Sequence, residues 1–469
     1  MLKPIVAVIA TGASLLSALP ISPAAAQTIS AEEAALLREE IQRLKSDVAR
    51  LEQRLSGGVP APQAAPTGNA PAPTANARNA AATAAPGTRI EWKGSPQFAE
   101  DDRSFKVKGR IQADAAYVSV PDGTGDRGLG FSNEVRRIRL GGEGKLGAGI
   151  GYKLELEFSD NNVDLVDTFI TYENKAWLLA VGNQNQFQSL DELTGDTSGS
   201  FMERAAFTDA FNFERRLGIS AQHRGKTLLL QAGIFTDDIT ALSNDSDGPS
   251  GGDENNSFGV DGRAVYAPML GDTRLHLGAS AHWRKLNRVS EDPVRYRQRP
   301  FVHTTNSRIL ATPAFNADRE LHYGLEVAGI HGPWHFAAET HWLKAFRPAA
   351  ANPSFFGGYV EVGYFLTAGD TRPYKGGIFG VANPKNPISD GGIGAVQVNL
   401  RYDRLDLNSG TIRGGTQDGY LASIIWTPVN YLRLNLNYGY LDYNDAAIAA
   451  NGRTSYGAHV IGSRIELDF

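Results

Sequence analysis

The sequence contains no cysteine, which excludes disulfide bonds, thiolate metal sites and a cysteine nucleophile. It also lacks a strong excess of charge, since 46 basic and 51 acidic residues leave a net charge of −5. Nucleic-acid-binding proteins usually carry a large basic surface, so we expect no nucleic-acid partner. Beyond the N-terminal segment, no uninterrupted apolar run reaches the roughly 18 residues of a transmembrane helix candidate. The rest of the chain is therefore expected to contain no membrane-spanning helix.

Motifs of common enzyme classes are missing as well. The sequence contains no G-x-S-x-G, no H-E-x-x-H and no phosphate-binding P-loop, which mark several hydrolases, metalloproteases and nucleotide-binding enzymes. Residues 243–257 form an acidic stretch, SNDSDGPSGGDENNS, but its aspartate spacing differs from that of an EF-hand. We therefore predict no enzymatic activity, no cofactor and no metal ion.

The N-terminal segment has the organisation of a secretory signal. Lys3 precedes an apolar stretch that ends in three small residues, Ala24, Ala25 and Ala26, and this order is typical of a cleaved export signal. We predict a signal peptide over residues 1–26, with an uncleaved membrane anchor as the alternative. The mature chain is then exported, and it carries no lipid anchor because no cysteine stands at the cleavage point.

Residues 27–56 carry a heptad pattern. Its apolar positions are spaced alternately by four and three residues, at Leu37, Ile41, Leu44, Val48, Leu51 and Leu55. Branched residues at one core position and leucines at the other predict a coiled coil, with a preference for two strands. An amphipathic helix on the protein's own surface is the alternative. Residues 57–90 are rich in Pro, Ala and Gly and predict a flexible linker.

Residues 91–469 are dominated by alternation of apolar and polar side chains. In FKVKGRIQADAAYV, which starts at Phe105, the apolar residues share one parity and the charged residues the other. The same alternation recurs in IGYKLELEF, DTRLHLGASAHWR, PWHFAAETHW and NYLRLNLNYGY. These segments are about 10 to 15 residues long, which exceeds the roughly 5–6 residues of soluble strands and suits strands that cross a membrane.

The connections between these segments provide an independent signal. We count sixteen candidate strands, whose connections alternate between short turns and long loops, as in bacterial outer-membrane barrels. We therefore predict an all-β fold, a sixteen-stranded antiparallel transmembrane β-barrel preceded by a short coiled-coil helix. Residues 369–392 break the alternation, because this long connection falls on the short-turn side. Either the count is wrong or this segment folds up into the barrel.

The final strand, GSRIELDF, is predicted to close the barrel against the first strand near Phe105. Its apolar parity ends in Phe469, which would face lipid in the aromatic belt at the periplasmic side. Arg464 lies on the opposite parity and would face the pore. The terminal phenylalanine resembles the signal by which the barrel assembly machinery recognises outer-membrane proteins, so this machinery is an expected partner.

Basic residues on the inward parity are the candidate site residues, because a sixteen-stranded barrel is wide enough for an aqueous channel. They are Lys106, Lys108 and Arg110 on the first strand, Arg136 and Arg137 on the second, and Arg295, Arg297 and Arg299 in a long loop. Arginine suits oxyanions, and a ladder of weak sites would let an anion both enter and leave. Alternatively, the loop arginines contact lipopolysaccharide phosphates or balance neighbouring acids.

Histidines also share the inward parity, which invites a metal hypothesis. They are His276, His282, His322, His335 and His341. Cross-strand pairs could supply two or three zinc ligands, but no spacing is diagnostic of a site. We interpret these histidines as part of a polar lumen wall.

The order of these motifs resembles the phosphate-selective porin O and P family. The motifs include FKVKGRIQADAAYV, NEVRRIRLGGEGKLGAGIGYKLELEFSDN, VDTFITY, FMERAAF, YRQRPFVHTT and HYGLEVAGIHGPWHFAAETHW, and the resemblance covers nearly all of residues 105–469. It implies a trimeric, sixteen-stranded outer-membrane porin in which an arginine ladder leads to a constriction with lysines and an aspartate. The ladder would then correspond to Arg110, Arg136, Arg137, Arg295 and Arg297, and the aspartate to Asp167.

The constriction lysines of the family have no clear counterpart. In the predicted inward-folded loop, SLDELTGD places Asp191 and Glu192 where a lysine is expected. In KAFRPAAANPSFFGG only Lys344 is a stand-in. Acidic groups at a constriction repel anions at short range, so strict phosphate selectivity does not follow from the resemblance.

The sequence as a whole predicts an outer-membrane porin for passive diffusion of small hydrophilic solutes, with an arginine-lined path that favours anions such as phosphate. Expected partners are outer-membrane lipids and lipopolysaccharide, two further copies in a homotrimer, and small anionic solutes. The alternative is a structural envelope protein, whose periplasmic coiled coil tethers the outer membrane to the cell wall or a partner.

Overall fold

The computed structural model describes residues 87–469 apart from 127, 160, 237–238, 240–256 and 287–292, together with Gln42. Except for Gln42 and residues 87–90, the predicted signal peptide, coiled coil and linker lie outside the described residues, as does nearly all of the acidic stretch 243–257. In the part of the chain that is described, no helix is both long and apolar enough to cross a membrane.

Sixteen long antiparallel strands form one closed barrel, which confirms the predicted fold and strand number. The strands are β1 Arg103–Ser119, β2 Gly130–Gly147, β3 Ile150–Glu157, β4 Asp164–Asn174, β5 Trp177–Asn185, β6 Arg215–Arg224, β7 Leu228–Phe235, β8 Phe258–Tyr266, β9 Thr273–Lys285, β10 Arg319–His331, β11 Trp334–Phe346, β12 Ser354–Phe365, β13 Ala395–Ser409, β14 Ile412–Val429, β15 Leu432–Asn444 and β16 Tyr456–Asp468. Each strand pairs with the next, and β16 pairs with β1.

Alternation along the strands separates an apolar exterior from a polar interior, as the sequence predicts. On β1, Ile111 and Tyr117 are exposed on the outer face, whereas Gln112 and Asp114 are buried in the lumen. Exposed aromatic residues form two girdles, as in membrane barrels. One lies near the end of the barrel that holds the C-terminus (Phe105, Tyr172, Trp177, Tyr266, Trp334, Trp426) and one near the opposite end (Tyr117, Phe131, Phe258, Tyr323, Tyr402, Tyr420, Tyr438). We call these the terminal end and the loop end.

Connections at the terminal end are short, with one exception. Residues 366–394, between β12 and β13, form a small hairpin of Tyr374–Lys375 and Ile378–Phe379. This hairpin lies inside the barrel, where the backbone oxygen of Gly377 accepts a hydrogen bond at 2.9 Å from buried Arg263 on β8. The sequence count was therefore correct, and the long connection folds up into the lumen.

The barrel closes higher on β1 than the sequence predicts. The C-terminal strand pairs with β1 only from Arg110 to Ser119, and the backbone of Phe469 exchanges two hydrogen bonds with Gly109. Near Phe105, the edge of β1 is instead covered by a hairpin of Arg89–Trp92 and Pro96–Glu100. This hairpin shields a strand edge that would otherwise be free, and its first two residues, 89 and 90, belong to the predicted linker.

Two loops from the loop end fold into the lumen and form much of the hydrophobic core. Residues 186–214, the constriction loop, contain α1 Leu190–Leu193 and α2 Ala206–Ala210. Residues 293–318 contain a short pair of strands, Arg297–Gln298 and Leu310–Ala311. Their buried apolar side chains pack on inward-facing residues of the wall and include Leu190, Phe201, Met202, Phe207, Phe211, Tyr296, Phe301, Ile309 and Leu310. The lumen is therefore partly filled.

Candidate functional site

Carboxylates of the barrel wall hold the constriction loop in place. Glu339 on β11 accepts hydrogen bonds from the backbone N–H groups of Leu190 at 2.8 Å and Asp191 at 2.7 Å. Asp403 on β13 accepts one from the N–H of Ala206 at 2.9 Å. These are the first N–H groups of two short helices, which lack partners within the helix. The wall thus fixes both helices at their N-terminal ends.

A dense ion-pair network joins this loop to β1, β2 and β16. Asp196 of the loop lies 2.5 Å from Nη1 of Arg110 and 2.9 Å from Nε of Arg137. Glu203 lies 3.5 Å from Arg136 and 2.7 Å from Arg464. Three of the predicted pore arginines therefore meet carboxylates of the constriction loop inside the lumen.

Arg136 and Arg137 both reach this network although they are adjacent on one strand. Strict alternation would send one of them to the lipid face. The register between β1 and β2 shifts here, so that Gln112 pairs with Arg137 and Ala113 pairs with Val135. Such a β-bulge accommodates one extra residue and re-aims its side chain. Arg136 is that extra residue.

The two acids predicted at the constriction have different surroundings. Asp191 is buried, lies 3.4 Å from Arg401 on β13 and accepts a hydrogen bond from the N–H of Ala205 at 2.7 Å. Glu192 lies 3.6 Å from Arg204 of the same loop. Asp191 therefore ties the loop both to itself and to the wall. Asp191, Glu192 and Arg204 all line a cavity of about 230 Å³ between the two inward loops and the wall.

Charges of the loop carboxylates are set by these neighbours. Burial favours the neutral form of Asp196, but Arg110 and Arg137 outweigh it and hold its pKa well below the usual value. Burial is likewise outweighed at Glu203, where Arg136 and Arg464 lower the pKa to about 2. At Glu192 the effect of burial is larger than the opposing effect of the Arg204 charge, so the pKa of this carboxyl is raised. Glu192 is therefore the first of these three to be protonated on acidification.

Toward the terminal end, the wall carries both paired and unpaired charges. Asp167 on β4 lies 2.5 Å from Lys153 and 2.6 Å from Arg215, so this predicted constriction aspartate contacts neither Arg110 nor the loop. Lys106 and Lys108 on β1 are half-exposed on the lumen side. Neither forms an ion pair with a described residue, and Glu143 is the cross-strand neighbour of Lys106.

Arginines of the second inward loop lie near the loop end. Tyr296 and Gln298 are buried and alternate with Arg295, Arg297 and Arg299, which therefore lie on one face of an extended segment. Arg299 lies 3.4 Å from Asp209 of the constriction loop, and Arg308 lies 3.0 Å from the same carboxylate. Arg295 and Arg297 are exposed and have no ion pair among the described residues.

The histidines and Lys344 do not line an open path. His322 and His341 are buried beside His282 and contact aromatic rings of the constriction loop, with Phe207 stacked on His341 at 5.5 Å. No group of three or more potential ligands able to hold a metal ion occurs within the described ranges. Lys344 alternates with buried Leu343 and Ala345 and is half-exposed on the outer face. The expectation that it stands in for a constriction lysine is therefore wrong.

Several lumen charges escaped the sequence analysis. They include Asp196, Glu203, Arg204, Arg372 and Arg401 in the network around the constriction loop, and Arg139, Lys153 and Arg215 nearer the terminal end. Most of those on strands follow the inward parity, so alternation alone gives a signal for them. The loop residues have no periodic signal, because they meet the wall only through long-range contacts.

A closed barrel with an apolar exterior, two aromatic girdles and a charged lumen narrowed by inward loops is a β-barrel membrane channel. The family model described as "Phosphate-selective porin O and P" matches residues 105–469. The chain belongs to this family, which makes it an outer-membrane porin.

Other comparisons found a relative by sequence and similar folds among solved structures. An uncharacterized protein of Caulobacter vibrioides is 56% identical over 478 residues, which cover 100% of this chain and 96% of that protein. Among solved structures, OprB of Pseudomonas putida is 10% identical, with a TM-score of 0.50 over 78% of this chain and 94% of that one. An anion-selective porin from Comamonas acidovorans is 13% identical, with a TM-score of 0.48 over 78% and 100%.

Proposed function

We propose that this porin is a water-filled channel for passive diffusion of small hydrophilic solutes and that it prefers anions, including phosphate and other oxyanions. The observation that carries the anion preference is the distribution of unpaired charge. Lys106 and Lys108 near the terminal end, and Arg295 and Arg297 near the loop end, have no carboxylate partner among the described residues. Between them, Arg110, Arg136, Arg137 and Arg299 each meet a loop acid.

This distribution suits passage rather than tight binding. Unpaired cations at both mouths attract anions and raise their local concentration. Paired arginines between them present guanidinium N–H groups whose charge is already balanced, so a passing anion is held weakly and can leave. Because the charge of these arginines is balanced, they support a general preference for oxyanions. They do not support strict selectivity for phosphate. Asp191, Glu192 and Asp167 contribute to the pore by fixing the arrangement of the basic groups around them.

Other features of the proposal rest on the sequence. A homotrimer, assembly through the terminal Phe469, the signal peptide over 1–26 and a periplasmic coiled coil over 27–56 remain predictions. The proposed partners are outer-membrane lipids, lipopolysaccharide and small anionic solutes.

Reversal potentials in planar bilayers under a KCl gradient test the anion preference. We expect an anion-selective wild type, with selectivity reduced in Lys106→Gln/Lys108→Gln and in Arg295→Gln/Arg297→Gln. The matched control is Lys145→Gln/Lys175→Gln, which removes two exposed charges at the terminal end, one near the end of β2 and one in the turn between β4 and β5. Cation selectivity of the wild type, or equal effects of all three pairs of substitutions, would contradict the proposal. Repeating the measurement with phosphate then asks whether that anion blocks or carries current.

A further inference from the structure

Three basic residues lie side by side on the outer face of the barrel at the loop end. Lys285 of β9 is directly opposite Arg319 of β10, and Lys344 of β11 is opposite Leu321 of β10. All three belong to the outward parity of their strands, which they share with exposed Tyr323. We call Lys285, Arg319 and Lys344 the rim patch. Because it lies outside the lumen, it is separate from the solute path.

The rim patch has no counter-charge among the described residues. Lys285, Arg319 and Lys344 form no ion pair with any described residue. The nearest acid on the inward parity, Glu320, is buried in the lumen and accepts a hydrogen bond from Tyr296. Arg319 and Lys344 instead flank the ring of Phe346, at 4.9 and 5.4 Å from its centre. Two like charges are thus held around one aromatic ring, where cation–π attraction favours them.

Two basic residues at the opposite end of the barrel are paired with acids, although Lys175 there has no ion pair among the described residues. Lys93 lies 2.8 Å from Glu91, and Lys145 lies 3.8 Å from Glu173. These exposed pairs balance their charge within the chain. The rim patch differs in that three cations without an ion pair lie next to one another on one outer face, and this grouping points to a counter-charge from outside the protein.

The position of the rim patch indicates where that counter-charge comes from. Toward the barrel centre, the same outer face continues through Leu321, Tyr323 and Leu325, which are apolar or aromatic and meet the acyl chains of the bilayer. The cations therefore lie at the level of the lipid headgroups, next to the aromatic girdle. Phosphate is the anionic group expected there, and both arginine and lysine bind it, arginine with a fork of two hydrogen bonds.

We propose that the rim patch binds the phosphate groups of an anionic lipid in the leaflet at the loop end, with its acyl chains along Leu321 and Tyr323. A lipid with more than one phosphate fits best, because Lys285 and Lys344 lie on opposite sides of β10. Free phosphate would use only the cations, whereas a lipid also uses the apolar face below them. The proposal does not depend on which solute passes through the pore.

Native mass spectrometry of the full-length porin, titrated with lipid A as a probe that carries two phosphates, tests this site. Each basic group near an anionic membrane surface contributes roughly five-fold to binding. Lys285→Gln/Arg319→Gln/Lys344→Gln is therefore expected to weaken lipid A binding by about a hundred-fold. The control, Lys93→Gln/Lys145→Gln/Lys175→Gln, removes the same charge at the terminal end and is expected to bind as the wild type does.

Two further measurements make the outcome decisive. Heat-modified migration on gels and KCl conductance establish that both triple variants are folded, open barrels. Inorganic phosphate in large excess is expected to leave bound lipid A in place. Unchanged binding by the rim-patch variant, an equal loss in the control, or displacement by inorganic phosphate would each overturn the proposal. Loss of anion selectivity in the bilayer experiment above would leave it intact.

Discussion

Nη1 of Arg110 on the barrel wall lies 2.5 Å from Oδ1 of Asp196 on the constriction loop, although the two residues are 86 positions apart in sequence. The second carboxylate oxygen of Asp196 faces Arg137 at 2.9 Å. One loop acid thus pairs with two wall arginines where the constriction loop meets β1 and β2. The charge available to a passing ion there depends on this loop, not on the wall alone.

Replacing Asp196 by Asn is therefore expected to increase anion selectivity. The substitution keeps the size of the side chain, removes the ion pair of Arg137 and leaves Arg110 with Asp468, at 3.3 Å, as its remaining carboxylate partner. One unit charge in a hydrated, salt-screened pore acts on an ion with an energy on the order of 1 kcal/mol, so we expect a shift in the permeability ratio of about five-fold. Reversal potentials under a KCl gradient measure this shift.

Asp390→Asn is the matched control, because Asp390 is exposed in the terminal-end segment between β12 and β13. It is expected to leave the permeability ratio unchanged. If Asp196→Asn also left the ratio unchanged while the barrel stayed folded, the ion pairs with Arg110 and Arg137 would not control selectivity.

Acidification is expected to raise anion selectivity through Glu192. Burial raises the pKa of this carboxyl above its ordinary value of 4.5, so it is neutralised before Asp196 and Glu203 and releases the charge of Arg204. Because the pKa of Glu192 is higher in the folded than in the unfolded protein, this carboxyl stabilises the folded loop below about pH 4.5. The stabilisation is lost as the pH rises through the pKa of Glu192 in the folded protein. Anion selectivity measured at a series of pH values between neutral pH and about pH 3 follows the titration of Glu192.

Variants of two loop acids separate this effect from a general response to acid. Glu192→Gln is expected to show no such pH step, because its side chain is already neutral. Glu203→Gln is expected to retain the step, since the pKa of Glu203 is held at about 2 by Arg136 and Arg464 against the effect of burial. If the pH-dependent rise in anion selectivity persisted in Glu192→Gln, a group other than Glu192 would be responsible for it.

Arg372 belongs to the terminal-end segment that folds into the lumen. It is expected to stabilise the position of the constriction loop from the terminal-end side. Its buried guanidinium donates hydrogen bonds to Ser200 Oγ at 2.5 Å and to the backbone oxygen of Ser198 at 2.9 Å, and it pairs with Glu361 at 3.1 Å. Hydrogen bonds of charged groups contribute about 1.5–3 kcal/mol each. Arg372→Gln is therefore expected to give a noisier channel of higher conductance in single-channel recordings.

Conservative and distant variants check this role of Arg372. Arg372→Lys keeps the charge beside Glu361 but cannot make both loop contacts, so we expect an intermediate noise level. Lys385→Gln alters an exposed residue of the same segment and is expected to record as the wild type does. Quiet channels of normal conductance in Arg372→Gln would mean that the loop does not need this support.

Alternation made the barrel predictable from the sequence. A strand that separates lipid from a lumen must present opposite chemistry on its two faces, so Ile111 and Gln112 could be assigned to opposite sides without a structure. The same rule places Lys344 on the outer face, because Lys344 shares its parity with the outward-facing Trp342. There the resemblance to the family suggested a pore residue that the pattern itself contradicts.

Other features depend on contacts that leave no local pattern. The bulge that turns Arg136 into the lumen arises from pairing between β1 and β2, and the partners of Asp196 lie on distant strands. The hairpin at residues 89–100 was missed because its strands are short and follow a linker. Placement of the constriction loop depends on carboxylates such as Glu339, whose role becomes visible only when the loop is seated against β11.

Closure of the barrel at its C-terminus gives the last prediction. The ring of Phe469 lies over Gly109 of β1, where a methyl group would come within 2.2 Å of Cζ. Gly109→Ala therefore displaces the terminal aromatic ring. Because the atoms that must move are the far edge of a terminal side chain, the cost is expected at the lower end of overpacking, about 1 kcal/mol. Gly262→Ala on β8 adds a methyl group with no heavy atom within 4 Å and controls for the glycine substitution itself. Heat-modified gel migration should show a lower transition temperature only for Gly109→Ala. Equal stability of the two variants would mean that packing of Phe469 on β1 does not limit the stability of the closed barrel.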